Sequence, residues 1–116
     1  MKQPVFKSEI SLKGMRSITA SSENKVWLDN KLLKFEKSLK VKCHTLAGFD
    51  WGNHEAGAAQ LALAICLELY PRDLALRAYP AFKQAYILPI REDSFLLKMD
   101  LTAFNAKIAE PWMETS

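Results

Sequence analysis

The sequence predicts a single α+β domain: a small antiparallel sheet with an N-terminal hairpin, packed on a buried central helix with two further helices. Three observations carry that expectation. Much of the N-terminal third alternates apolar and polar residues with the period of a half-buried strand. At Asn53 the period changes, and a nearly unbroken apolar run follows to Tyr70. With 116 residues and 49% hydrophobic content, the chain suits one domain with a core of its own. No internal repeat or dividing linker interrupts it, so residues 1–116 read as one unit, ordered over about 5–112.

The first strand places Phe6, Ser8, Ile10 and Leu12 on one side and Lys7, Glu9 and Ser11 on the other. Asp29-Asn30 separates Val26-Trp27-Leu28 from Leu32-Leu33. Both residues tolerate the left-handed conformation of a two-residue hairpin turn. A further strand is expected in SLKVKCH, with Leu39, Val41 and Cys43 inward and Lys40 and Lys42 exposed. Asn53 is the expected N-cap of the central helix, with Glu55 in its first turn. That helix is apolar all round, which implies burial on most sides, and Pro71 stops it. Asp73 is expected to cap the next helix, with Ala75, Tyr79, Phe82 and Tyr86 on one stripe and a kink or split at Pro80. Phe95, Leu97 and Met99 alternate as a short strand. Asp100 then caps a last helix with Leu101, Phe104 and Ile108 inward, and Pro111-Trp112 closes the ordered part.

The net charge of +3 conceals an asymmetry: residues 1–43 carry +6 and residues 44–116 carry −3. Such a split marks either a solvated polar edge or a basic face for an acidic partner or nucleic acid. Lys31, Lys34, Lys37, Lys40 and Lys42 form the candidate basic surface, with Trp27 and Phe35 nearby to stack on bases. Two cysteines make no disulfide framework, and a reducing cytoplasm is expected. The segment MKQPVFKSEISLKG has no apolar signal region, and Ala56 to Tyr70 is too short to span a membrane.

Gly52 and Gly57 stand at the spacing of a phosphate-cradling loop. That motif then needs Lys followed by Ser or Thr, where this chain has Ala58 and Ala59. Glu55 adds a negative charge where the anion would sit. No nucleotide site is expected, and no cofactor. His44, Asp50 and His54 cluster with Cys43 and Glu55 as candidates for metal or acid–base work. A second histidine of the zinc-protease pattern would fall at Ala58, however, and no zinc spacing is met. The simpler expectation is that Asp50 and Asn53 cap the helix and His54 lies exposed. Gln60, one turn into an apolar helix, is expected to bond to the backbone of the Gly48–Asn53 loop. Phe49 and Trp51 are expected to anchor that loop to the sheet.

HTLAGFDWG (44–52), AQLALAI (59–65) and Tyr79, Phe82 and Lys83 together resemble a small bacterial and mobile-element domain family of unknown function. Its pattern is a basic hairpin, a Phe-Glu-Trp-Gly loop, an Ala-Gln-Leu-Ala-Leu-Ala helix and a Tyr-x-x-Phe-Lys segment. The resemblance spans roughly Leu12 to Ile108. The family's glycine-rich segment is replaced here by Asn53-His54-Glu55-Ala56-Gly57-Ala58. If relatives bind an anion there, this chain is expected to have lost that ability.

The resemblance implies an architecture and an accessory protein of phage or mobile-element type. The expected function is non-enzymatic binding of a host protein, with inhibition of a host defence complex as its specific form. His44, Asp50, Trp51, Asn53, His54 and Gln60 form the candidate interaction or loop site. The alternatives are nucleic-acid binding through Lys31–Lys42, and a small enzyme or metal-binding protein using His44, Asp50 and His54. No membrane partner is expected, and the oligomeric state is left open.

Overall fold

Asp29 and Asn30 both have positive φ, +49° and +69°, so they form a tight hairpin turn that sets Leu28 opposite Lys31 and Trp27 opposite Leu32. A computed structural model of the chain describes residues 6–17 and 23–114, with side chains to residue 109. The N-terminal limit expected for the core, residue 5, lies outside them.

The elements run β1 (Glu9–Met15), β2 (Lys25–Leu28), β3 (Lys31–Leu32), α1 (Phe35–Leu39), α2 (Ala56–Leu69) and α3 (Arg72–Phe82). A π-helical turn (Lys83–Ile87), β4 (Ser94–Asp100) and α4 (Thr102–Glu114) complete the chain. The four strands form one antiparallel sheet in the order β3-β2-β1-β4. The architecture is α+β, as the sequence predicts.

One face of the sheet supplies Ile10, Leu12, Val26, Leu28, Phe95 and Met99 to the core. Nine consecutive residues of α2, Ala58 to Cys66, are buried, and all but Gln60 belong to the same cluster. That continuous burial explains why α2 has no polar stripe. Behind Pro71, α3 buries Ala75, Tyr79 and Phe82, with Tyr86 of the π-helical turn half-buried. Pro80 does not end α3; the helix passes into the π-helical turn three residues later. Asp100 is not the cap of α4 but lies one residue before it: the Leu101 carbonyl accepts the first helical bond, from the Asn105 N–H at 2.7 Å, while Asp100 Oδ1 closes a turn on the Thr102 N–H at 2.9 Å.

Several expectations need correction. The segment read as a strand in SLKVKCH instead begins in helix α1 and continues as an irregular loop. Cys43 is exposed there rather than inward, and Val41 is half-buried. Phe35 and Leu39 stand four apart and the residues between them favour helix, so a short alternating text folds either way. The N-cap of α2 is Glu55, not Asn53. Asn53 instead closes a turn, its Oδ1 accepting the Glu55 N–H at 2.9 Å. The N-cap of α3 is Pro71, and Asp73 lies in the first turn. Leu97, in the inward register, is 36% exposed because β4 is an edge strand. The backbone of α4 runs past Pro111 to Glu114, and the side chain of Trp112 lies outside the described residues.

Candidate functional site

The loop before α2 is built around Asp50. Its Oδ1 accepts from Arg16 Nη1 at 2.7 Å and from the Trp51 N–H at 2.8 Å. Its Oδ2 accepts from Asn53 Nδ2 at 3.0 Å. Burial pushes this carboxyl up, but the bonds from Asn53, Arg16 and the Trp51 N–H, with the Arg16 charge, hold it below its ordinary value. Arg16 also pairs with Asp93 at 3.0 Å and lies over the Trp51 ring, 4.7 Å from its centroid. Trp51 is buried, meets Phe95 of β4 edge-on at 5.0 Å, and donates from Nε1 to the Glu92 carbonyl at 2.9 Å. The loop is thus clamped to β1 and β4. Phe49 packs instead on Phe35 of α1, at 5.3 Å.

The two glycines of the phosphate-like spacing have a structural explanation. Gly52 has φ +77°, and a Cβ there would lie 2.4 Å from the Ile90 carbonyl oxygen. At Gly57 a Cβ would lie 2.7 Å from Asp50 Cβ, where the Asp50 N–H donates to the Gly57 carbonyl at 3.1 Å. Close backbone approach demands both residues.

Gln60 is fully buried, and each end of its amide is used. Oε1 accepts the His44 N–H at 2.7 Å, while Nε2 donates to Ser38 Oγ at 2.9 Å and to the Lys42 carbonyl at 3.0 Å. Its partners are therefore in residues 38–44 and not, as expected, in the Gly48–Asn53 loop. The irregular backbone after α1 needs those bonds because no strand neighbour satisfies it.

His44 Nε2 lies 2.9 Å from the Tyr79 hydroxyl. Burial, then the charges of Lys42 and Lys83, lowers its pKa below the ordinary value of 6.5. The unfolded chain takes up this proton more readily than the folded one. His44 thus contributes stability that is present above pH 6.5 and is lost as pH falls toward the depressed folded value. Urea unfolding from about pH 7.5 to 5 should show a smaller loss for His44→Gln than for the wild type. Equal losses would contradict it.

His54 and Glu55 are exposed in the turn before α2. His54→Ala and Glu55→Ala should each change stability by less than about 1 kcal/mol in the same assay. The hydrogen bonds of His44 and Asp50 go to other partners, so the three candidate acid–base residues form no bonded relay. Among the described residues, no group of three or more His, Cys, Asp or Glu is placed to share a metal ion.

The five lysines are all exposed, but their neighbours differ. Lys31 shares a recess with Asp29 and Glu68, and Lys34 shares another with Glu23 and Glu36. Lys37 bonds Glu68 at 3.3 Å, and Lys40 is the C-cap of α1. Lys42 lies 6.0 Å from the Tyr79 ring centroid. Phe35 is buried, which removes it as a stacking surface.

A different surface stands out on the sheet. Pairing of Leu32 with Trp27, Trp27 with Lys13 and Lys13 with Leu96 sets one row across all four strands on the face away from the core. Met15 is on the same face. Leu32, Leu96 and Met15 are 52%, 69% and 49% exposed, and Lys13 Nζ lies 5.2 Å from the Trp27 ring centroid. Sequence reasoning missed this row. The signal was the adjacent pair Leu96-Leu97, one of which an alternating strand must turn outward. It also missed Arg16, the one arginine among the first 43 residues.

A family profile described as "Family of unknown function (DUF6166)" matches residues 12–109. The chain belongs to that family. Neither the curated proteins nor the solved structures contain a match. In this DUF6166 member, residues from three separated segments meet: His44, Gln60 and Tyr79 are joined by hydrogen bonds.

Proposed function

We propose that the protein is a non-enzymatic binding module that meets a protein partner through the uncovered face of its sheet. The observation that carries this reading is the row Leu32–Trp27–Lys13–Leu96, with Met15 beside it. A sheet with one solvated face ordinarily turns polar side chains outward. Large apolar groups clustered there suit a partner, and tryptophan is a frequent anchor of such contacts. The resemblance to mobile-element domains supports a host protein as the partner and inhibition of a host defence complex as the effect. Cysteines that are both free, one of them exposed, support a reducing cytoplasm as the setting.

The test compares tagged wild type with Trp27→Ser/Leu96→Ser for proteins retained from host lysate, read by mass spectrometry. A protein retained by the wild type and lost from a variant with an unchanged melt supports the reading. Equal retention by both, or retention by neither, overturns it.

A second reading has its own observation: Lys13, Lys25 and Lys98 share this face with the Trp27 ring. An aromatic ring among cations is a platform for single-stranded nucleic acid. Gel shifts that weaken steeply with salt and vanish in Lys13→Glu/Lys25→Glu would favour it. No shift at micromolar protein would rule it out.

A further inference from the structure

The free edge of β4 carries backbone groups whose direction follows from the ladder. The Arg16 N–H donates to the Asp93 carbonyl at 2.8 Å, and the Leu101 N–H to the Ser8 carbonyl at 2.6 Å. These bonds bracket a register in which Ile10 faces Met99 and Gly14 faces Phe95. Hydrogen-bonded and non-bonded pairs alternate along an antiparallel ladder. Phe95, Leu97 and Met99 therefore direct their backbone groups to β1, while Ser94, Leu96, Lys98 and Asp100 direct theirs away. Tyr86 approaches the Asp100 carbonyl at 3.5 Å. Among the described residues, no backbone bond joins Leu96 or Lys98 to anything beyond this edge.

The two edges of the sheet differ. β3 has two residues, the short form that discourages pairing, whereas β4 has seven. Exposed Leu96 and Leu97 flank the β4 edge, one on each face. A recess of about 380 Å³, lined in part by Tyr86, Pro89, Ile90, Leu97 and Met99, lies beside it.

We infer that β4 pairs antiparallel with β4 of a second copy of this chain, joining two sheets into one. One long edge per molecule closes after a single pairing, which yields a two-fold dimer and not a polymer. Only the outward-directed residues can exchange hydrogen bonds, and this restricts the register. Lys98 opposite Lys98 of the second copy sets like charges together. Leu96 opposite Leu96 of the second copy leaves Met99 and Asp100 unmatched. Leu96 opposite Lys98 of the second copy overlaps all seven residues and sets no like charges directly opposite. The two-fold axis then passes between the Leu97 residues, and each leucine reaches the other copy's recess. This association uses the backbone edge of β4, whereas the partner face proposed above uses outward side chains; Leu96 belongs to both.

Sedimentation over a concentration series up to millimolar protein tests it, with two variants. Lys98→Pro removes an outward N–H but no bond to β1, and edge strands tolerate proline. It should abolish the dimer. Leu97→Cys, with Cys43→Ser removing the exposed native thiol, sets two thiols at a non-hydrogen-bonded pair. Mild oxidation should lock that dimer, since such pairs lie within disulfide reach. Leu32→Cys on the other edge should not lock. Monomer at every concentration overturns the inference. So does a dimer that Lys98→Pro preserves and Leu97→Cys fails to lock. If Lys98→Pro fails to fold, the cysteine pair decides alone.

Discussion

Leu63→Asp is expected to leave the chain unfolded at room temperature. Leu63 has no exposed surface, and its neighbours along α2 are buried with it. An aspartate there must either ionise without a partner or take up a proton, and both cost free energy. The loss of leucine burial adds about 2–5 kcal/mol, and the unpaired polar group several more. A domain of this kind has about 5–15 kcal/mol of stability in total. The penalty is comparable to the whole. Far-UV circular dichroism and a thermal melt decide the matter, and a cooperative melt near that of the wild type would contradict the burial of α2.

Trp51→Ala is expected to cost about 3–5 kcal/mol. Three attachments leave with the ring: the edge contact to Phe95, the bond to the Glu92 carbonyl and the face under Arg16. Asp50 keeps its bond from the Trp51 N–H, since that donor is backbone. The loss therefore falls on the clamp to β4 and not on the turn itself. For a domain near 100 residues, each kcal/mol moves the melting point by roughly 4–8 °C, so the shift should exceed about 12 °C. Trp51→Phe, which retains ring burial but no N–H, should lose less. Equal effects of the two variants would show that the cavity left by the ring is unimportant.

Much of the fold was legible because the local signals there agreed with one another. Asp29-Asn30 between two apolar stretches specifies a hairpin, and a helix apolar on every side specifies burial. The structural roles of Trp51 and Gln60 follow from residue type and setting. Gln60 was legible as buried and bonded, but its partners were not. Residues 38–44 reach it from a segment whose alternation suits either a strand or a short helix. Arg16 was illegible for another reason. A cation at the end of a strand reads as solvated, and its bonds to Asp50 and Asp93 span 34 and 77 positions. The outer row of the sheet depends on four-strand register, which periodicity within one strand does not encode.

The central claim is that a partner meets the outer face of the sheet while the loop before α2 is structural. Site-specific photo-crosslinking tests both halves in one measurement. A photoreactive side chain replaces Leu96 in one variant and Glu55 in another, since both positions are exposed and neither bears on the core. The account predicts a protein other than this chain crosslinked from position 96 and none from position 55. Crosslinking from position 55 alone would contradict it and return the interaction to the loop.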